Sequence, residues 1–229
     1  MRRRAATTQA TRLFCCCLAA LSPALPVGAD DPGPELSAGW LLFGDLYHVP
    51  SHHNTAGEDA TGLVVRRAYL TFNADFSERW FGRLRFEANQ SGEFETYSFD
   101  TQTKDLYVGR RFGRHKTILG LTATPTFDLL ESIWGMRYLA RTPLDLQGVA
   151  SRDTGLTLQG PLNASGSLSY RAMYAAPLDF GSDGNDRERW LGALSWQPAP
   201  QWTLDVYADY EEVDGPRDRS TVQAFAAYQ

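Results

Sequence analysis

The chain has 229 residues, among them 12 Phe, 10 Tyr and 6 Trp, with 43% hydrophobic and 21% charged residues. Such aromatic content excludes a disordered polar chain, and the formal net charge of -5 argues against a nucleic-acid partner, whose binder carries a basic footprint. Beyond residue 30 no apolar run approaches the roughly 20 residues of a transmembrane helix.

Residues 1–29 read as a secretory signal peptide. Arg2, Arg3, Arg4 and Arg12 make a basic start, Leu13 to Leu21 is apolar, and Ser22, Pro23 and Pro26 break it ahead of a small-residue cleavage site at Val27-Gly28-Ala29. Cleavage removes four of the 22 basic residues and no acid, leaving 18 against 27 acidic ones. Cys15, Cys16 and Cys17 leave with the leader, so the mature chain has no thiol for a disulfide, a zinc-thiolate site or a cysteine nucleophile.

Residues 30–38 are expected to form a periplasmic N-terminal segment and 39–229 one domain of strands. In chain order the strands are predicted at 39–47, 63–74, 80–90, 104–112, 116–124, 153–160, 166–175, 188–197, 202–212 and 220–229. The signal is alternation. Trp80, Gly82, Leu84, Phe86 and Ala88 oppose Phe81, Arg83, Arg85, Glu87 and Asn89; Trp202, Leu204, Val206, Ala208 and Tyr210 oppose Thr203, Asp205, Tyr207, Asp209 and Glu211. A strand sends successive side chains to opposite faces, so one face is apolar and the other polar. A helix would smear both sets around its axis.

The connections alternate too. They are short after the second, fourth, sixth and eighth strands and long after the others, the longest being Pro125 to Arg152. Short turns at one end, long loops at the other and an apolar outer face describe an all-β, antiparallel transmembrane β-barrel of the outer-membrane kind. A soluble β-sandwich also alternates. Its strands are usually shorter, and it does not call for aromatic strand ends such as Trp80, Trp190, Trp196, Trp202, Tyr210 and Tyr228, which suit an interfacial girdle.

Val64-Val65-Arg66-Arg67-Ala68-Tyr69-Leu70 resembles the second strand of the phosphate-selective porin O/P family. Similar in order and spacing are Phe43-Gly44-Asp45, Lys104-Asp105-Leu106-Tyr107-Val108, Gly120 to Pro125, and Ser151-Arg152-Asp153-Thr154-Gly155-Leu156. The resemblance covers about residues 39–160 and implies a sixteen-stranded, homotrimeric outer-membrane porin of Gram-negative bacteria. It also implies a third extracellular loop folded into the pore, and a basic path for small anionic solutes such as phosphate or polyphosphate. The sequence offers ten strands rather than sixteen, and it ends at Gln229 without the C-terminal aromatic residue of such barrels. It is therefore read as a C-terminally truncated member, a complete ten-stranded barrel being the alternative. Lysine is scarce: Lys104 and Lys116 are the two in the chain, and neither lies in the candidate constriction loop.

Strand parity turns Arg67, Arg83, Arg85, Arg111, Arg171 and Arg189 inward as pore-lining cations, with Asp45 and Glu87 on the same side. Guanidinium stays charged at physiological pH and offers oxyanions a planar fork. The bland alternative is a wall laced by pairs of these arginines with Asp45, Glu87, Asp105, Asp205 and Asp209. The constriction loop carries Asp128, Glu131, Arg137, Arg141 and Arg152, and its stretch Phe127 to Trp134 breaks the alternation as a short helix would, with Leu129, Leu130 and Ile133 on one side. Many acids fall in loops (Glu58, Asp59, Asp179, Asp183, Asp186, Asp214, Asp218), where water screens them, so anion preference is expected despite the acidic total. His48, His52 and His53 near Glu58 and Asp59 invite a metal, but Pro50, Asn54 and Gly57 oppose the helix that would converge them. No nucleophile elbow or phosphate loop is present, and neither catalysis nor a cofactor is expected. The alternatives are a non-channel barrel for adhesion or assembly, and an outer-membrane hydrolase.

Overall fold

Period-two alternation of β-branched, aromatic and charged residues builds ten strands. A computed structural model describes residues 33–51, 58–90, 99–135, 141–175, 188–212 and 218–229. The strands are β1 (Glu35–His48), β2 (Thr61–Asp75), β3 (Trp80–Gln90), β4 (Phe99–Phe112), β5 (His115–Ala123), β6 (Arg152–Pro161), β7 (Leu168–Ala175), β8 (Arg189–Ala199), β9 (Trp202–Glu211) and β10 (Arg219–Tyr228). They form one antiparallel sheet in sequence order, each strand paired with its chain neighbours. Among the described residues β1 pairs only with β2 and β10 only with β9, so the sheet is open. Among the described residues no helix is long and apolar enough to cross a membrane, which says nothing of crossing by strands.

Residues 1–29 lie outside the described residues, as do His52, His53 and Arg137. Two strands begin earlier than alternation indicated. Residues 35–38, assigned to the segment ahead of the domain, pair with 72–75, because Leu36 and Ala38 continue the phase of Trp40. Residues 99–103 pair with 86–90 beyond an irregularity in β4.

The two faces differ in chemistry. Leu84, Phe86, Leu204 and Val206 lie on one side, where Leu70, Phe72, Leu106, Leu119, Leu156 and Leu194 are exposed with them. Arg83, Arg85, Asp205 and Tyr207 lie on the other side, where Tyr207 and Asp205 are buried. This inner face is covered by the segment between β5 and β6, which carries α1 (Phe127–Trp134) and the one-turn α2 (Pro143–Leu146). Thr142 and Asp145 close a capping box on α2, with Pro143 at its first position.

The segment is seated by apolar contact. Phe127, Leu130 and Leu144 bury together, with Phe225 of β10 and Val149 against them. Val149 also packs on Met173, Ala175, Leu191, Ala193 and Tyr207 of β7 to β9. These inward apolar residues interrupt a face read as polar, because they are the seat of the helical segment. Phe127 and Leu130 are the buried side chains of α1, while Leu129 and Ile133 are half-buried.

Gly120, at φ 127°, admits close approach of β4 to β5: a Cβ there would stand 2.9 Å from the Tyr107 Cα. At Gly192 of β8 a Cβ would meet nothing within 4 Å. Gly120→Ala should cost roughly 1–3 kcal/mol through strain, whereas Gly192→Ala should gain about 0.5–1 kcal/mol through backbone entropy. Urea unfolding of both variants checks the sign of each.

Candidate functional site

The inner face of β2 to β7 carries a belt of charge against α1. Arg152, at the start of β6, donates from Nε to Asp105 at 2.8 Å and from an Nη to Asp128 of α1 at 3.1 Å. Its side chain is 9% exposed. Asp105 of β4 also meets Arg85 at 3.4 Å and Arg83 at 3.9 Å. Asp128 meets Arg171 of β7 at 3.6 Å, and Arg171 donates to the Ala123 carbonyl at 2.8 Å. The arginines are further oriented by neutral acceptors, Arg83 by Asn73 at 2.8 Å and Arg85 by Thr71 at 2.9 Å.

Above this belt Glu87 receives two cations, Lys104 at 2.5 Å and Arg67 at 3.4 Å. Lys104 is 8% exposed, with its Nζ 5.6 Å from the Tyr69 ring centre. Simple alternation leaves Lys104 off the inner face. A β-bulge corrects this: Arg85 pairs with Asp105 but Phe86 with Thr103, so Lys104 is the extra residue and turns inward beside Asp105. A second bulge pairs Phe43 with Arg67 but Gly44 with Val65, and the extra Arg66 reaches Asp45. Each bulge thus adds a cation that parity misses.

The other predicted residues divide. Arg111 pairs with Asp75 at 2.5 Å. Arg189 pairs with Asp209 at 2.6 Å and Asp153 at 3.6 Å, and Tyr207 donates to the same Asp209. Glu131 lies on α1 beside the cavity bordered by Arg83, Arg85, Lys104 and Arg152. Arg141 is exposed just ahead of α2 and is not drawn into the belt. Every predicted inward arginine, from Arg67 to Arg189, has a carboxylate within 4 Å; Glu87, Asp105 and Asp209 are among the acids expected, Asp75, Asp128 and Asp153 are not, and Asp45 pairs instead with Arg66 and Asp205 with hydroxyls. Among the described residues no group of three His, Cys, Asp or Glu could hold a metal ion; His48 bonds Thr61.

The balance of charge is uneven. In the belt against α1 six cations (Arg67, Arg83, Arg85, Lys104, Arg152, Arg171) share four carboxylates (Glu87, Asp105, Asp128, Glu131). Toward β8 to β10, Arg189 and Arg219 face Asp153, Asp205, Asp209 and Glu211. Asp205 is 1% exposed, and it accepts from Thr126 and Ser195, each at 2.5 Å. Thr126 sits at φ 74°, outside the usual range of a β-branched residue, so this latch holds a strained corner at the head of α1.

The class these features define is an open antiparallel sheet with an apolar outer face and a charged inner face on which a helical loop lies. The chain matches no protein-family model and none of the curated proteins.

Asp105→Ala leaves Arg83 and Arg85 without their carboxylate, while Asp128 keeps Arg152 paired. Breaking one side of a buried ion pair costs roughly 3–5 kcal/mol, and the surviving partner sets this case near the low end, about 3 kcal/mol. Denaturant unfolding of the detergent-folded chain measures it, and a loss under about 1 kcal/mol would show that the belt carries little of the stability.

Proposed function

We propose that the chain forms the wall of a water-filled channel in a Gram-negative outer membrane, where small, preferentially anionic solutes diffuse passively. Phosphate and polyphosphate are the solutes that the resemblance to phosphate-selective porins brings forward, and a homotrimer is the assembly it implies. No catalytic step and no cofactor enter this reading. The observation that carries it is the pairing of two unlike faces on one ten-stranded meander, with a helical loop seated on the charged one.

Several dimensions support it. The outward aromatics fall at both strand ends: Trp190 pairs with Tyr210 near the long connections, and Trp202 with Tyr228 near the short ones. Trp202 and Tyr210 lie on β9 eight residues apart, roughly 26 Å along the strand at 3.3 Å per residue. At the tilt of about 40° usual in such barrels that length spans about 20 Å, somewhat less than the height of about 25 Å for a lipid-facing band between aromatic girdles. A wall in lipid must satisfy its backbone throughout, so this reading also requires strands beside β1 and β10.

Anion preference follows from arrangement. The excess of cations lies in the belt beside the helix that narrows the lumen, where confinement weakens screening. The arginines stay largely engaged with carboxylates, so the preference should be weak to moderate, without strong phosphate specificity. Reversal potentials across a salt gradient in planar bilayers test this. The expected sign is anionic, moving toward cationic in Arg83→Ala and Arg85→Ala; a cationic value that neither change moves would make these arginines wall struts alone.

The outer face offers a separate test. Leu84→Arg should cost roughly 2–4 kcal/mol if the site is at the bilayer midplane, and the inner-face exchange Asn73→Ser far less. Urea titrations in lipid vesicles compare the two, and equal costs would exclude a lipid-facing Leu84.

A further inference from the structure

The charge belt occupies one side of α1. On the other side, toward the short turns, lies a second cavity of about 490 Å³, inside the roughly 300–1,000 Å³ range of small-molecule sites. Its wall is the inner face of β5 to β9, and Thr126 and Leu129 at the head of α1 also line it. Three cations line it, Lys116, Arg171 and Arg114, the last donating to the Asn163 and Ala164 carbonyls at the turn, with neutral hydrogen-bonding side chains that include Gln159, Ser169, Ser195 and Thr203. No carboxylate does.

That composition separates it from the belt. Arg171 already shares Asp128 and the Ala123 carbonyl. Lys116 has no carboxylate partner among the described residues; its Nζ stands 5.8 Å from the Phe81 ring centre, an arrangement that leaves its three donors for a ligand. Asp205 is bonded by two residues of the lining, and its two oxygens are taken by Thr126 and Ser195. The cavity thus presents positive charge beside a patch of hydroxyl and amide groups.

We propose that this cavity is a solute site for a polyhydroxylated anion of the sugar-phosphate class. The phosphoryl group takes Lys116 and a free edge of Arg171, and the sugar hydroxyls take Gln159, Ser169, Ser195 and Thr203. A bare oxyanion would satisfy the cations and leave the neutral donors and acceptors to water; a neutral sugar would leave Lys116 unused. The two chambers flanking α1 then differ in task, the belt drawing in anions and this chamber choosing among them. The choice of a solute rests on the channel reading; the site itself stands on the cavity and its lining.

Glucose 6-phosphate, inorganic phosphate and glucose are the probes. Titration calorimetry on the full chain folded in detergent should give saturable binding of glucose 6-phosphate, at least tenfold tighter than of inorganic phosphate, and none of glucose. Lys116→Gln should weaken glucose 6-phosphate about tenfold, equivalent to about 1.4 kcal/mol. Gln159→Leu should weaken it severalfold while leaving inorganic phosphate unchanged. In planar bilayers glucose 6-phosphate should lower the chloride current with the same dependence on Lys116. Binding without any conductance would overturn the channel reading and keep the site. Conductance with no saturable binding, binding unaffected by Lys116→Gln, or equal affinity for phosphate and glucose 6-phosphate would overturn the site and keep the channel.

Discussion

Arg152 holds two carboxylates that belong to different parts of the chain, Asp105 of the wall and Asp128 of the helix lying on it. A guanidinium that is 9% exposed has given up most of its water, and so has Asp105 at 2%. Neither charge could remain there alone, since an unpaired buried ion costs far more than a mismatched surface one. The consequence is positional. While Arg152 bridges the pair, α1 stays on the inner face and β4 and β6 keep their distance across β5. Arg83, Arg85 and Arg171 gather around the same two acids.

Apolar burial supplies what the charges cannot. Ion pairs of this exposure select a position more than they stabilise it, whereas Phe127, Leu130 and Leu144 meeting Phe225 remove apolar surface from water outright. The hydroxyl latch from Thr126 to Asp205 adds direction and holds a backbone corner that a threonine would not choose by itself. Together these contacts divide the inner face into a chamber of paired charges and one that sets cations beside neutral polar groups, and that division underlies both the proposed selectivity and the proposed solute site.

The outer face poses the opposite problem. Leucines, valines and aromatics on nearly every strand stand open, and the strands at both sides of the sheet have one partner each. In water such a surface invites association; in lipid it is the expected solvent, provided that the backbone edges are paired. Apolar exterior and open edges are thus the two features that the proposed lipid setting has to accommodate.

Much of this was legible from residue order. Alternation located the ten strands, their faces and the unequal connections, because a pleated strand imposes a period of two whatever its neighbours are. The break at Phe127–Trp134 announced a helix for the same reason. Only the tertiary structure decided which cations share the inner face. The bulges that turn Lys104 inward and bring Arg66 to Asp45 are offsets between two strands, and a one-residue offset reverses a side chain without leaving a trace in either strand's own period. Partner choice was also beyond the sequence. Arg152 precedes Asp153 in the chain, yet it bonds Asp105 and Asp128, residues 47 and 24 positions away. Such distances close only when the sheet has wrapped its inner face around the loop, since the Coulomb attraction that pairs them falls off too steeply to act through an unfolded, solvated chain.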